Sequence, residues 1–155
     1  MTYLKAADIL ELAMQLEKNG EAYYLAVAKK AKTPETRSLF EDLAQQEVKH
    51  FKVFAKLAEG VQDQPFMTDE EWEWYQKYLD VTVQSALFQG PEKALAAAAE
   101  AKTEKDAVRM AIDFEKDTLL FFYDLRDKVA AAKRDVIDKV VAEEKSHIRR
   151  LAGML

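Results

Sequence analysis

The sequence has no cysteine among its 155 residues, and only 4 glycines and 3 prolines. The lack of cysteine excludes disulfides, thiolate-bound zinc, iron–sulfur clusters and a thiol nucleophile. The scarcity of glycine and proline indicates a few long helices, because these residues mark the turns between short elements. No run approaches the roughly 18 consecutive apolar residues of a membrane span, and no Lys/Arg cluster offers a surface for nucleic acid.

What the sequence does contain is an acidic, mixed composition that is typical of one globular domain. Hydrophobic residues make up 49% and charged residues 33%, with a net charge of −5. A chain of this length buries roughly two thirds of its unfolded surface, which is enough for one core. Because Asp8, Glu11 and Glu17 interrupt the first apolar stretch, we expect no secretory signal peptide. Together with the lack of cysteine, this predicts a cytoplasmic protein with no membrane or nucleic-acid partner.

Apolar residues recur with a 3.6-residue period in four long segments. The first predicted helix spans 4–30, and the second begins at Thr33-Pro34-Glu35 and ends near Gly60. The third spans about 103–129, and the fourth runs from a turn near Lys133 to residue 155. Short gaps within each pair require antiparallel neighbours.

Residues 61–102 form the predicted crossover between the two helix pairs. A capping box at 68–71 begins a short aromatic helix, and Gly90-Pro91 precedes an alanine-rich helix at 94–101. The sequence therefore predicts an all-α fold with one domain over 1–155. It is a four-helix bundle of ferritin-like connectivity, with pairs at 4–60 and 103–155.

Each long helix has an apolar stripe that one glutamate interrupts at a single level. On two helices a histidine follows the glutamate by three residues. The interrupting residues are Glu17, Glu47 with His50, Glu115, and Glu144 with His147. The two halves superpose with an offset of 97 or 98 residues, which indicates an internal repeat of a helical hairpin. Leu119 or Thr118 continues the stripe of the third helix.

This pattern has a direct chemical interpretation. Glutamate and histidine at i and i+3 lie on one helical face and can reach the same ion. Four carboxylates buried together repel each other unless cations neutralise them, and two divalent cations supply four positive charges. Carboxylate and imidazole ligands suit iron, with manganese as the alternative. The sequence therefore predicts a buried centre of two metal ions.

Around these positions the sequence resembles the ferritin-like di-iron carboxylate superfamily, and more closely its rubrerythrin-like branch. The segments that carry the resemblance are 16–24, 43–50, Phe114-Glu115 with Tyr123, and 143–147. The resemblance implies two bridging glutamates, two terminal glutamates and two histidines that cap opposite ends. Glu47 and Glu144 would be the bridging glutamates, and Glu17 and Glu115 the terminal ones. His50 and His147 would be the two histidines.

Two tyrosines fall where rubrerythrin-like proteins place tyrosines that hydrogen-bond the ligands. By the resemblance, Tyr24 and Tyr123 take that role, and the alternative is that both are ordinary core aromatics. Thr118 stands where many rubrerythrins have an additional glutamate that takes part in iron movement. The remaining set of six ligands is closer to a bacterioferritin-type site.

The resemblance implies an oxidoreductase, a non-haem di-iron peroxidase or ferroxidase, that reduces hydrogen peroxide or dioxygen to water. Without cysteine the chain cannot carry a rubredoxin iron, so an external donor such as a rubredoxin-like protein is expected to supply electrons. The alternative function is ferrous iron binding and oxidation for storage or sequestration. A third interpretation is a binding module that has a structural metal and uses the aromatic surface of Trp72, Trp74, Tyr75 and Tyr78.

Two further expectations concern assembly and a neighbouring residue. The long crossover predicts a homodimer, with exchange of helix pairs between chains as one form of it. Glu143 lies beside a predicted ligand but off the apolar stripe. Its replacement by alanine is therefore expected to change little.

Overall fold

The computed structural model describes residues 3–61, 65–82 and 85–155, and these form an all-α bundle with a short β-ribbon. The strands are β1 (Tyr3–Lys5) and β2 (Pro65–Thr68). The helices are α1 (Ala6–Lys30), α2 (Pro34–Glu59), α3 (Asp69–Thr82), α4 (Pro91–Glu100), α5 (Glu104–Lys128) and α6 (Ala131–Ala152). The four long helices α1, α2, α5 and α6 confirm the predicted fold class.

The turn between α1 and α2 is fixed by a carboxylate from another helix. Thr33 stands at the start of α2 as predicted, but its side chain does not cap that helix. Instead Glu104, the first residue of α5, accepts hydrogen bonds from the backbone N–H groups of Lys32 (2.6 Å) and Thr33 (3.0 Å). These backbone hydrogen bonds lower the pKa of Glu104 to about 2. The two helix pairs are thereby tied at one end of the bundle.

The crossover adds a feature that was not predicted. Residues of β1 pair antiparallel with β2, so α1 begins at Ala6 rather than at Leu4. The predicted capping box at the start of α3 is confirmed, because Thr68 and Glu71 exchange hydrogen bonds of 2.7 and 3.2 Å. The alanine-rich α4 packs on α1. Residues 62–64 and 83–84 of the predicted crossover lie outside the described residues.

The second helix pair differs from prediction at its turn and at its end, where α6 stops at Ala152 rather than at residue 155. The chain turns at Val129 and Ala130, so α6 begins at Ala131 and the expected turn near Lys133 is wrong. Alanine is the strongest helix former, and the Ala-Ala sequence at 131–132 extends α6 backwards by one half-turn. At the other end, Thr103 caps α5 and accepts a hydrogen bond from the backbone of Asp106 (3.0 Å).

Buried apolar side chains form two layers that lie at opposite ends of the bundle. The Tyr24 layer takes in residues 23–28 of α1 and 107–114 of α5, and the Phe122 layer takes in residues 6–16 of α1 and 121–125 of α5. In all four long helices, the level between the two layers holds the interrupting glutamate. Within the described ranges, no helix is both long enough and apolar enough to cross a membrane.

Replacing Glu104 with glutamine is expected to destabilise the bundle. The amide keeps the size of the side chain but loses the negative charge that accepts hydrogen bonds from two backbone N–H groups. We expect the free energy of unfolding to fall by about 1 kcal/mol, the usual effect of losing a helix cap. Urea unfolding measures it, and the exposed Glu100→Gln at the end of α4 is the control. An equal effect of the two variants would contradict this role.

Candidate metal centre

Six ionisable side chains meet between the two apolar layers. Each of the four long helices contributes one glutamate, and α2 and α6 each add a histidine one turn later. The six are Glu17, Glu47, His50, Glu115, Glu144 and His147, and none is more than 2% exposed. The structure thus brings together every residue that the sequence predicted as a ligand, and all of them come from one chain.

The donor atoms fall into two overlapping groups, each small enough to surround one ion. Within each group, one atom from every residue lies within 4.8 Å of the others. Glu47 and Glu144 belong to both groups. Glu17 and His50 complete one group, and Glu115 and His147 complete the other. This sharing reproduces the predicted repeat, with two half-sites joined by two common carboxylates.

Glu144 lies at the middle of the cluster, between the two imidazole rings. Its two oxygens lie 2.9 Å from Nδ1 of His50 and 2.8 Å from Nδ1 of His147. The rings stack with centroids 5.6 Å apart. Nδ1 of His50 also lies 3.5 Å from Glu17, and Nδ1 of His147 lies 3.4 Å from Glu115. Both histidines therefore turn Nδ1 towards the carboxylates.

The cluster fits a pair of cations because its polar atoms are otherwise unsatisfied. Among the described residues, ten buried side-chain polar atoms have no hydrogen-bond partner of good geometry, and nine of them belong to these six residues. Buried polar atoms in proteins are nearly always hydrogen-bonded. Seven carboxylate oxygens and two imidazole nitrogens that face one another are an expected donor set for two hard or borderline divalent ions.

The charges of the histidines and of Glu144 depend on each other. Burial alone raises the pKa of Glu144, but contacts with His147 and His50 outweigh it and hold that pKa well below its usual range. Burial alone lowers the histidine pKa values, yet the nearby carboxylates raise both to about 10. Without cations, both imidazoles are therefore protonated around an ionised Glu144.

Burial and mutual repulsion favour the protonated form of the other three carboxyls. Burial and the charge of Glu144 raise the pKa of Glu17 well above its usual value and that of Glu115 to about 8. Burial and Glu17 do the same for Glu47. Protons thus provide the neutralisation that cations would otherwise supply. Binding of divalent ions to these side chains should therefore release protons.

Known proteins share the family or the fold of this chain. A sequence model of the family described as Rubrerythrin matches residues 8–155. The chain belongs to the rubrerythrin family. A solved structure from Thermotoga maritima, described as a ferritin-like diiron-carboxylate protein, superposes with a TM-score of 0.67 at 24% identity, covering 99% of this chain and 96% of that chain. At that identity the likeness shows the fold. No curated protein matches the sequence.

A glycine makes room for one of the shared carboxylates in this rubrerythrin-family protein. A Cβ atom at Gly20 would lie 2.7 Å from Oε2 of Glu47 and 3.0 Å from the ring of Phe114. Real Cβ atoms do not approach heavy atoms as closely as the first of these distances. The absence of a side chain at this position therefore lets Glu47 reach the centre.

The two predicted tyrosines have different outcomes. Tyr24 is buried and its hydroxyl donates a hydrogen bond to Oε1 of Glu115. Tyr123 is 38% exposed, and the Lys145 ammonium lies over its ring, so it does not reach the cluster. The residue that matches Tyr24 in the repeat is Phe122, which is buried and lacks a hydroxyl. The expectation for Tyr123 is wrong because the helical phase turns residue 123 outward.

Glu143 contacts the site although its position off the apolar stripe does not by itself predict this. Its Oε2 lies 2.6 Å from Nε2 of His50, although the Glu143 side chain is 54% exposed. Glu143 therefore contacts a predicted ligand, which the expectation that its loss changes little did not take into account. A signal was present, because Glu143 lies four residues before His147 and thus at the edge of the buried stripe of α6. From that edge a glutamate reaches the neighbouring helix.

Thr118, not Leu119, continues the buried stripe of α5. Its side chain is 1% exposed, and its hydroxyl has no hydrogen-bond partner. Leu119 is partly buried and packs against the Phe122 layer. The position that holds an additional glutamate in many rubrerythrins thus adds a neutral hydroxyl to the interior here.

Replacing Gly20 with alanine is expected to weaken metal binding while α1 stays helical. The added Cβ displaces the Glu47 carboxylate that both half-sites share, whereas alanine itself favours a helix. Metal analysis after anaerobic ferrous loading and desalting measures the effect, and we expect less than about half of the wild-type content. Gly60→Ala is the control, because the atom closest to its Cβ would be the flexible end of Lys133, and the Leu57 carbonyl oxygen would lie at an ordinary contact distance of 3.6 Å. Wild-type metal content in Gly20→Ala would contradict the packing argument.

In chelator, the stability of the protein is expected to fall as pH rises from about 6 to about 9. His50 and His147, with pKa values of about 10, and Glu115, at about 8, hold protons in the folded state that the unfolded chain releases near pH 6.5 and 4.5. Groups with raised pKa values stabilise the fold at low pH and lose that contribution as pH rises through the folded value. Urea unfolding at several pH values measures it.

The expected loss over this range is at least about 1 kcal/mol. Glu115→Gln removes one of the titrating carboxyls, so its stability should fall less between pH 6 and 8. Stability that stays flat or rises with pH in chelator would contradict the predicted protonation of the cluster.

Proposed function

We propose that this rubrerythrin-family protein is a di-iron oxidoreductase that reduces hydrogen peroxide, or dioxygen, to water with electrons from an external donor. The observation that carries the proposal is the six-residue cluster itself. Nine of its buried donor atoms have no other hydrogen-bond partner, and its six residues form two overlapping groups of four. Without a bound metal, burying four carboxyls at one level would destabilise the core, because their charges would lack compensation.

The geometry supports specific roles for the six residues. Glu47 and Glu144 belong to both groups, so we assign them as bridges between two ions. Glu17 with His50 and Glu115 with His147 then hold one ion each. Four glutamates neutralise two divalent cations, and two neutral imidazoles complete the set. Membership of the rubrerythrin family supports iron as the metal, and manganese is compatible with the same donors.

Two bound ferrous ions would supply two electrons together, so that the O–O bond of a peroxide is cleaved to water without release of a radical. The chain provides the surroundings for that reaction. The Tyr24 and Phe122 layers keep bulk water away from the cluster. The hydroxyl of Tyr24 holds the Glu115 carboxylate in place through a hydrogen bond. Gly20 leaves space for Glu47.

The electron donor and the assembly remain predictions. Without cysteine the chain cannot hold a rubredoxin iron of its own, so a rubredoxin-like protein is the donor that we propose. A homodimer is the assembly that we propose. The cluster itself is complete within one chain, so dimerisation is not needed to build it.

Ferrous iron oxidation for storage is the second candidate function. It is favoured by Thr118, which leaves a set of six ligands without the additional glutamate of many rubrerythrins. A storage protein must also enclose a mineral, which requires a shell of many subunits. Size-exclusion chromatography with light scattering separates the two functions, since a monomer or dimer excludes such a shell.

A single-turnover reaction tests the proposed function. Protein loaded anaerobically with ferrous iron is mixed with hydrogen peroxide, and ferric absorbance is followed by stopped flow. We expect one peroxide to oxidise two ferrous ions, with two protons taken up and two waters formed. The reaction should be at least about tenfold faster than that of ferrous iron in buffer.

Glu144→Gln should lose this advantage, because it removes charge from a carboxylate that both groups share. Glu41→Gln, on the exposed face of α2, should retain it. A wild-type rate equal to that of free ferrous iron would overturn the peroxidase proposal. A fast reaction with dioxygen alone, in a large assembly that accumulates ferric mineral, would support the storage function instead.

A further inference from the structure

The two halves of the cluster have matching ligands but different surroundings. The repeat pairs Glu17 with Glu115 and His50 with His147. We infer that the two positions bind divalent cations with unequal affinity, and that the position formed by Glu17 and His50 fills first. The inference rests on the proposed two-metal centre and concerns the order of loading, which the ligand set alone leaves undetermined.

The first difference is a carboxylate that supports only His50. Oε2 of Glu143 lies 2.6 Å from Nε2 of His50, while Nδ1 of the same ring faces Glu144 and Glu17. A carboxylate at Nε2 fixes the hydrogen on that nitrogen and leaves Nδ1 to donate its lone pair to a cation. It also makes the imidazole a stronger ligand. Glu143 is thus a positioning residue that acts through His50.

The other half has no equivalent charge at the matching position. The offset of 97 residues pairs Glu143 with Gln46 on α2, whose side chain is a neutral amide. An amide neither draws a cation towards the centre nor strengthens an imidazole as a carboxylate does. The negative charge next to the cluster, half-exposed at its edge, therefore lies on the His50 side.

The second difference is a hydroxyl that binds only one of the terminal glutamates. Tyr24 donates a hydrogen bond to Oε1 of Glu115. The matching residue in the other half is Phe122, which has no donor, and neither oxygen of Glu17 has a hydrogen-bond partner outside the cluster. A hydrogen bond occupies one lone pair and withdraws charge from the carboxylate. Glu115 is therefore the weaker anionic ligand of the two.

Both differences act in the same direction. The position at Glu17 and His50 has a fully available carboxylate and a supported imidazole. The position at Glu115 and His147 shares its carboxylate with Tyr24. Removal of the hydrogen-bond partner of a metal-bound histidine typically lowers metal affinity by 10-fold to 100-fold. We therefore expect two dissociation constants that differ by at least about tenfold.

Cobalt(II) titration of the full-length protein at constant pH tests the order of loading. Cobalt(II) is stable to air under these conditions, and its visible absorption reports each filled position. The wild-type protein should bind two equivalents in two resolved steps. His147→Gln should keep the tighter step and His50→Gln should lose it, because the first ion occupies the His50 side.

Two conservative variants should each reduce the difference between the two dissociation constants, one by weakening the tighter step and one by strengthening the weaker step. Glu143→Gln should weaken the tighter step by roughly tenfold and leave the weaker step unchanged. Tyr24→Phe should strengthen the weaker step alone, since it frees Oε1 of Glu115. The exposed Asp135→Asn on α6 is the control for loss of a surface charge. Circular dichroism confirms that each variant is folded before titration.

The outcomes separate this inference from the proposed function. No cobalt binding by folded wild-type protein would overturn both. Two equivalents bound in one unresolved step that neither Glu143→Gln nor Tyr24→Phe alters would overturn the inference and leave the two-metal centre intact. A tighter step that survives His50→Gln would show the reverse order of loading and also overturn it.

Discussion

The burial of four carboxyl groups at one level of a helical bundle is the constraint on which the rest of this structure depends. The carboxyls have almost no contact with solvent, so their charges must be neutralised inside the protein. Without cations, the two histidines and protons on the carboxyls neutralise these charges. Two bound divalent ions would neutralise them in the same way. The apolar layers on either side enclose the carboxyls. Gly20 leaves space for Glu47, and the hydroxyl of Tyr24 donates a hydrogen bond to Glu115.

Most of the fold and all six cluster residues could be predicted from the sequence, because both depend on helical periodicity. A glutamate that interrupts an apolar stripe, followed on two helices by a histidine at i+3, is visible in the sequence. Its recurrence after 97 or 98 residues identifies the matching ligand in the other half of the repeat. The β-ribbon was missed because β1 has only three residues, which is too short for an alternating pattern. Its pairing with β2 is a tertiary contact between distant segments.

The errors at the site have a different cause. Glu143 and Tyr123 both lie close to the boundary between the buried and exposed faces of their helices. Helical periodicity predicts the direction of each Cα–Cβ bond. The groups that the end of a long side chain contacts depend on how the neighbouring helix packs. Glu143 bridges to His50 across the contact between α6 and α2, whereas Tyr123 turns towards Lys145 on the surface. The Glu143 contact depends on packing between helices and could not be derived from one stripe at a time. The position of Tyr123 follows instead from the phase of α5, in which the neighbouring Phe122 is the buried residue.

Anomalous diffraction from crystals of the ferrous-loaded protein, measured on both sides of the iron absorption edge, tests the central claim most directly. We expect two anomalous peaks between the apolar layers, each next to Glu47 and Glu144, the proposed bridges. One peak would adjoin Glu17 and His50, and the other would adjoin Glu115 and His147. A single peak, or iron bound only at surface carboxylates, would contradict the assignment of a two-metal centre.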